Sequence, residues 1–157
     1  MDATLFLEIV TPARTVFCGH VSEVRFPTAH RGIYGIYPGH TPLMTILGSG
    51  LLRFSARGHE HWTTLLGGLV EVRPDRVTIL TREAETVDTI DLSEEETHRA
   101  RAQRALIESR TEHDLELAQI ALERSLARTE AMHLALILGP PTPPRCAKCG
   151  CERCECC

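Results

Sequence analysis

From residue 4 to about 87, apolar positions recur in short runs with a period near two. Leu5, Leu7 and Ile9 alternate with Phe6, Glu8 and Val10. Val16-Phe17-Cys18-Gly19 and Val21-Ser22-Glu23-Val24-Arg25-Phe26 follow, and later Leu51-Leu52-Arg53-Phe54, Trp62-Thr63-Thr64-Leu65-Leu66, Leu69-Val70-Glu71-Val72 and Val77-Thr78-Ile79-Leu80. Period two places alternate side chains on opposite faces, so these runs predict strands. Arg57-Gly58 and Pro74-Asp75 break them as turns. Many short strands at this spacing predict an all-β antiparallel sandwich or barrel over residues 1–88, of which the sandwich is the expected form. Most of its apolar side chains are expected to be plain core.

Around Val87-Asp88-Thr89-Ile90 the period lengthens. Ser93-Glu94-Glu95-Glu96 reads as a capping box, with the serine capping and Glu96 reaching back. Its acids also suit the positive end of a helix dipole. A helix is expected to about Ser109, carrying Ala102, Ala105 and Leu106. Thr111-Glu112-His113-Asp114 is a second start signal. Leu115, Ala118, Ala121, Leu122, Leu126 and Met132 then recur at helical spacing until Gly139. Two helices with a short connection predict an antiparallel α-helical hairpin over 89–138. Ala102, Ala105, Ala118 and Ala121 would let the helices approach closely. A hairpin this small has no large core of its own. It must rest on the sandwich, rest on a partner, or alternate between them.

Between the strands lies a different kind of stretch, Gly32-Ile33-Tyr34-Gly35-Ile36-Tyr37-Pro38-Gly39-His40-Thr41-Pro42-Leu43. Pro38-Gly39 has the order of a type II turn: proline presets φ, and glycine takes the positive φ that follows. Tyr37 and His40 then flank a rigid corner, with Leu43, Ile46 and Leu47 expected to return to the core. Such a corner displays side chains. It lacks the GxxxxGK[ST] pattern of a phosphate-gripping loop, and no lysine is near it.

Composition narrows the reading. The chain has 157 residues, 43% of them hydrophobic, and a net charge of −4. That describes a globular protein whose surface is unsuited to nucleic acid or anionic lipid. Aromatic residues are few, which also argues against base stacking. Lys148 is the only lysine. No signal peptide is evident, since Met1-Asp2-Ala3-Thr4 carries an acid and Glu8 interrupts the apolar run behind it. No stretch of about 20 uncharged apolar residues exists, so membrane association would have to go through a partner. Six of the seven cysteines follow Pro144, leaving Cys18 alone in the body, the pattern of a reducing compartment.

Three sets of side chains invite chemistry. Cys18 and His20 would share a strand face as a thiol nucleophile and its base, although an apolar run favours a buried inert thiol. His59-Glu60-His61 offers two imidazoles but no third ligand, and reads as a solvated hairpin tip. No nucleophile elbow or acid/base carboxylate pair stands out, so independent catalysis is not expected. The third set follows Gly139-Pro140-Pro141-Thr142-Pro143-Pro144-Arg145, a stiff linker without helix potential. Beyond it, Cys146-Ala147-Lys148-Cys149 and Cys151-Glu152-Arg153-Cys154 are two CxxC units one residue apart, followed by Cys156 and Cys157. CxxC suits two thiolates on one tetrahedral ion, so Cys146, Cys149, Cys151 and Cys154 are candidate ligands for zinc or copper(I). With only Gly150 between the units a regular four-thiolate site is strained. A disordered Pro/Cys-rich extension over 139–157 is the competing reading.

Gly35-Ile36-Tyr37-Pro38-Gly39-His40-Thr41-Pro42-Leu43 resembles the GIYPGHxPL signature of the epsilon subunit family of ATP synthase, and Leu66-Gly67-Gly68-Leu69-Val70-Glu71-Val72 is similar to its SGGxxEV segment. The resemblance runs from about Leu5 to about Leu138. It implies a non-catalytic rotor subunit of the central stalk, which joins the gamma subunit to the ring of membrane c subunits. Required cofactors are none. The implied location is the cytoplasmic face of a bacterial plasma membrane, held there by the complex, with the plastid thylakoid as the alternative. Gamma contacts fall on Thr11, Tyr37, His40 and Thr45. The c-ring contact falls on His30, Arg31, Ile33 and Tyr34, with Ile33 where family members often carry an acid. The hairpin resembles a movable regulator that folds on the sandwich with ATP bound and otherwise extends among the alpha and beta subunits to block hydrolysis. The family's nucleotide pattern is [I/L]DxxRA, and Ile90-Asp91-Leu92-Ser93-Glu94-Glu95 matches at Asp91 but has Glu94 in place of the arginine. Arg101, Arg124 and Arg128 fall at positions that are basic in ATP-binding members. An anion in place of a phosphate-binding cation implies weak or absent ATP binding. The second helix sets Arg124 and Arg128 against Glu112, Asp114, Glu116, Glu123 and Glu130, a weak pull toward an acidic partner loop. A metal-binding or redox protein acting through the tail, and an enzyme using Cys18 and His20, stand as the rival readings.

Overall fold

The computed structural model describes residues 3–30, 32–86 and 91–138. The strands are β1 (Leu5–Val10), β2 (Thr15–Val21), β3 (Glu23–Pro27), β4 (Ile33–Ile36), β5 (Leu43–Leu47), β6 (Gly50–Ala56), β7 (His59–Leu65), β8 (Gly68–Arg73), β9 (Arg76–Leu80) and β10 (Ala84–Thr86). Two helices follow, α1 (Leu92–Glu108) and α2 (Glu112–Leu138). The strands form two five-stranded sheets, ordered β2-β1-β9-β8-β5 and β10-β7-β6-β3-β4. Between them Leu5, Leu7 and Ile9 of β1 meet Val24, Phe26, Leu52 and Phe54 of the second sheet in one buried core. Each such side chain contributes about 1.5–3 kcal/mol by leaving water.

The sandwich is as the alternation predicts, with three corrections. First, it is not wholly antiparallel: β1 and β9 run parallel, from Phe6 opposite Arg76 to Val10 opposite Leu80. The seven intervening strands supply the long crossover that a parallel pair needs. Second, β4, β5 and β10 carry no clear strand signal. In β5 the outward positions Met44 and Ile46 are themselves apolar, so Leu43–Leu47 shows no alternation. Third, Ile46 does not return to the core. It pairs with Leu69 on the outer face and is 57% exposed.

Glycine decides one crossing. Gly67 and Gly68 have φ of 59° and 133°, and a Cβ on Gly68 would lie 2.0 Å from the Leu80 carbonyl oxygen. Only hydrogen fits there. The other turn signals form as expected. Arg57 and Gly58 both take positive φ, 52° and 78°, in a tight two-residue β6–β7 hairpin. His59-Glu60-His61 begins β7 beside this turn; His59 and Glu60 are exposed as expected of a solvated tip, whereas His61 is buried with its ring stacked on Phe54 at 5.2 Å.

The first helix of the hairpin starts from another cap than the sequence suggests. Asp91, not Ser93, is the N-cap of α1, and its carboxylate accepts from the Ser93 N–H and hydroxyl at 2.8 Å each. These bonds hold the Asp91 carboxyl below its ordinary range. The second start signal closes as a reciprocal box: Thr111 Oγ1 donates to Asp114 at 2.6 Å, and the Asp114 N–H donates to Thr111 Oγ1 at 3.1 Å. The predicted apolar stripe is displaced. Leu115 and Leu126 are exposed, as is Ala105, whereas Ala102, Ala118, Ser125, Ala127 and Ala131 are buried. Small side chains occupy the contacts because they let backbones approach. The end of α2 lies on the second sheet, where Ala131, Met132, Leu134 and Ala135 meet Leu51 and Trp62. In the chain alone the hairpin rests on the sandwich.

Candidate functional site

The corner after β4 is built as a hydrogen-bonded turn. The His40 N–H donates to the Tyr37 carbonyl at 3.1 Å, and Gly39 takes φ 81°, the geometry of a type II turn. The Gly39 N–H donates to the Pro74 carbonyl at 2.7 Å, fastening the corner to the β8–β9 turn. The Tyr37 hydroxyl donates to Glu23 Oε1 at 2.8 Å, and Arg25 pairs with the same carboxylate. Burial pushes the Glu23 carboxyl up, but the hydrogen bonds from Arg25 and Tyr37 outweigh it and hold it below its ordinary value. His40 Nδ1 lies 2.7 Å from the Thr41 carbonyl oxygen. The corner is thus fixed to its surroundings at two points, Pro74 and Glu23, while Tyr37 stays exposed.

Toward the opposite end of the first sheet, the outer face carries an apolar row. Ile46 is opposite Leu69, Leu69 opposite Leu80, and Leu80 opposite Val10. Ile46, Leu69 and Leu80 are exposed, with Met44 next to the row on β5. A row of large apolar side chains across four strands is the kind of patch that marks an interaction site. Sequence reasoning missed Met44, Leu69 and Leu80, and placed Ile46 inside. The findable signal was Leu43-Met44-Thr45-Ile46-Leu47, apolar at both alternating sets of positions but for Thr45.

The gamma candidates do not form one cluster. Tyr37 and His40 share the corner. Thr11 lies at the opposite end of the first sheet, where its hydroxyl closes the β1–β2 turn by donating to the Arg14 carbonyl at 2.8 Å. Thr45 is half-buried opposite Val70 and alternates with the outward Met44 and Ile46. Of the ring candidates, His30 is exposed and Ile33 is 77% exposed. Tyr34 stacks on the buried Phe26, ring centroids 6.2 Å apart. Arg31 lies outside the described residues. Their loop is pinned beside the apolar row by the Ala29 N–H, which donates to the Ile46 carbonyl at 3.1 Å.

Between α1 and α2 lies a cavity of about 620 Å³, lined by Arg101, Arg124 and Arg128 together with Glu95, His98 and Asp114. Three of the four nucleotide candidates therefore converge, while Asp91 stands apart as a cap. Two of the arginines already hold carboxylates. Arg124 Nη2 donates to Glu83 at 2.5 Å, and Arg128 donates to Glu85 and Glu95. Sequence reasoning missed these acids. Glu83-Ala84-Glu85 puts both on one side of a strand, a spacing the sequence does show.

Part of the remaining candidate chemistry falls on described residues. Cys18 is buried, as expected of a thiol in an apolar run. His20 meets Phe6 edge-on at 5.5 Å. Among the described residues no group of three or more His, Cys, Asp or Glu could hold a metal ion. Cys146, Cys149, Cys151 and Cys154 lie outside the described residues. Also among the described residues, no helix is long and apolar enough to cross a membrane.

Residues 4–87 match the family described as ATP synthase, Delta/Epsilon chain, beta-sandwich domain. The chain is similar to the ATP synthase epsilon chain of Nitratidesulfovibrio vulgaris, 36% identical over 128 residues, covering 82% of this chain and 95% of the relative. It is also similar to that of Herpetosiphon aurantiacus, at 39% identity with 82% and 93% coverage. Among solved structures, the fold resembles a chain of the Euglena gracilis mitochondrial ATP synthase, OSCP/F1/c-ring in rotational state 1. The TM-score is 0.72 at 23% identity, covering 87% of this chain and 83% of that one.

Proposed function

The chain belongs to the epsilon-chain family of ATP synthase, and from that premise we propose that it works as the non-catalytic central-stalk subunit of a rotary enzyme. It links gamma to the c-ring so that ion-driven rotation reaches the catalytic sites. One observation carries this reading: a corner fastened at Pro74 and Glu23 adjoins the sheet that bears an exposed apolar row, with the loop of His30 and Ile33 pinned to the row's end. Rotary coupling needs such a body. Torque passes through a rigid sandwich without loss to internal motion, and preorganised side chains lose little entropy on docking.

In this arrangement gamma covers the row of Ile46, Leu69 and Leu80 together with Tyr37 and His40. The ring meets His30 and Ile33, an apolar contact where an acid would make a polar one. The chain meets the membrane only through the complex, and its bacterial relatives support the cytoplasmic face of the plasma membrane. Alpha and beta subunits are partners for the hairpin when it leaves the sandwich. ATP is at most a weak ligand of the interhelical cavity, because Glu83, Glu85 and Glu95 already neutralise two of its arginines.

The test is ATP hydrolysis by catalytic headpiece stripped of its own epsilon subunit, after addition of the full chain, a chain ending at 138 or a chain ending at 90. All three should co-migrate with gamma. Failure of all three overturns the stalk reading. Inhibition by the full chain but not by the one ending at 90 makes the hairpin a brake on hydrolysis. Binding without inhibition by any of them makes it a coupling subunit only.

A further inference from the structure

Where α2 crosses the second sheet, charged side chains from three elements meet. Arg128 on α2 donates from Nε and Nη2 to the two carboxylate oxygens of Glu85 on β10, at 2.7 and 2.6 Å. Its third nitrogen, Nη1, donates to Glu95 on α1 at 2.8 Å. The Glu95 side chain is 5% exposed and that of Arg128 21%. The backbone carbonyl of Glu95 accepts from the Ser125 hydroxyl at 3.1 Å. One turn before Arg128, Arg124 holds Glu83.

We propose that Arg128, by gripping β10 and α1 at once, is a latch that holds the helical hairpin on the sandwich with no ligand bound. The apolar seat beneath α2 is modest. It consists of Leu51 and Trp62 against Ala131 and three partly buried neighbours, whereas Leu117, Leu126, Leu136 and Ile137 of α2 face solvent. A seat of small side chains tolerates sliding and does not fix one position. A guanidinium fork with all its directions engaged does fix one. The latch is also all-or-none. Removing Arg128 would leave the buried Glu95 carboxylate with only the His98 ring, whose Nδ1 lies 3.3 Å from Oε1, and Glu95 Oε2 already has no hydrogen-bond partner among the described residues. Either the three elements stay together or the hairpin lifts and every charge is hydrated. The latch concerns contacts within this chain, so it stands whichever partner a lifted hairpin meets.

Trp62 is the only tryptophan and lies buried under α2, so its emission reports docking. The experiment compares the full chain with Arg128→Met and Glu85→Gln, reading Trp62 emission and amide hydrogen exchange element by element. Ala131→Asp, which breaks the apolar seat directly, calibrates the emission of a lifted hairpin. The latch predicts a shift to longer wavelength in Arg128→Met and exchange in α1 and α2 faster by about tenfold or more, with β1, β8 and β9 as protected as before. Glu85→Gln should move the same way, and combining it with Arg128→Met should add little. Wild-type emission and helix protection in Arg128→Met would overturn the latch, as would protection lost equally in the first sheet.

Discussion

The Tyr37 hydroxyl donates to Glu23 across 14 residues of sequence at 2.8 Å, and this bond ties the corner to β3. Tyr37→Phe removes it while leaving the ring. An exposed hydrogen bond of this kind contributes about 0.5 kcal/mol, so the urea midpoint should fall slightly. The effect should depend on pH. The folded Glu23 carboxyl is held below its ordinary value of 4.5, so its stabilisation is present above that pH and fades as pH falls through the lower folded value. Wild type and Tyr37→Phe should therefore differ at neutral pH and converge in acid. Equal spacing of the two midpoints down to the acid limit would show that the bond does not couple to Glu23.

Gly68→Ala should be among the most damaging single substitutions. The new Cβ would meet the Leu80 carbonyl oxygen at 2.0 Å, on a backbone with φ 133°. Strain and displacement of β9 together should cost more than about 3 kcal/mol in denaturant unfolding. Gly39→Ala, with open space around it but φ 81°, should cost less. The reverse order would show that backbone strain outweighs the β8–β9 clash.

Ile46→Glu separates folding from docking. Ile46 is exposed on the outer face, so thermal unfolding should stay within about 0.5 kcal/mol of wild type. Affinity for gamma should fall at least about tenfold, roughly 1.4 kcal/mol, because a charge would have to be desolvated against apolar neighbours. Unchanged co-migration and affinity would move the gamma interface off this face.

Mg-ATP should bind the full chain more weakly than about 100 µM, roughly −5.5 kcal/mol by titration calorimetry. Phosphate must compete with Glu83 and Glu85 for Arg124 and Arg128. Replacing both acids by glutamine should therefore tighten binding. A tight wild-type complex would show that the carboxylates yield easily.

Much of this protein is local information. Alternation in Leu5–Val10, the Pro38-Gly39 order, the Arg57-Gly58 turn and the Thr111–Asp114 box each specify structure through neighbours within a few residues, and each formed. Two motifs at a fixed separation were enough to identify the family. What the sequence alone did not decide depends on which strands lie side by side. The parallel β1–β9 pairing, the outward turn of Ile46, and the substitution of Ala127 and Ala131 for leucines at the helix contacts all follow from register and approach distance between distant segments. The charge cluster is the clearest case. Along the chain Arg124 and Arg128 read as candidate nucleotide contacts and Glu95 as part of a helix start, and nothing pairs them with Glu83 or Glu85. Only the packing of α1 and α2 on the second sheet brings them within hydrogen-bond reach, where reduced exposure makes their pairing matter.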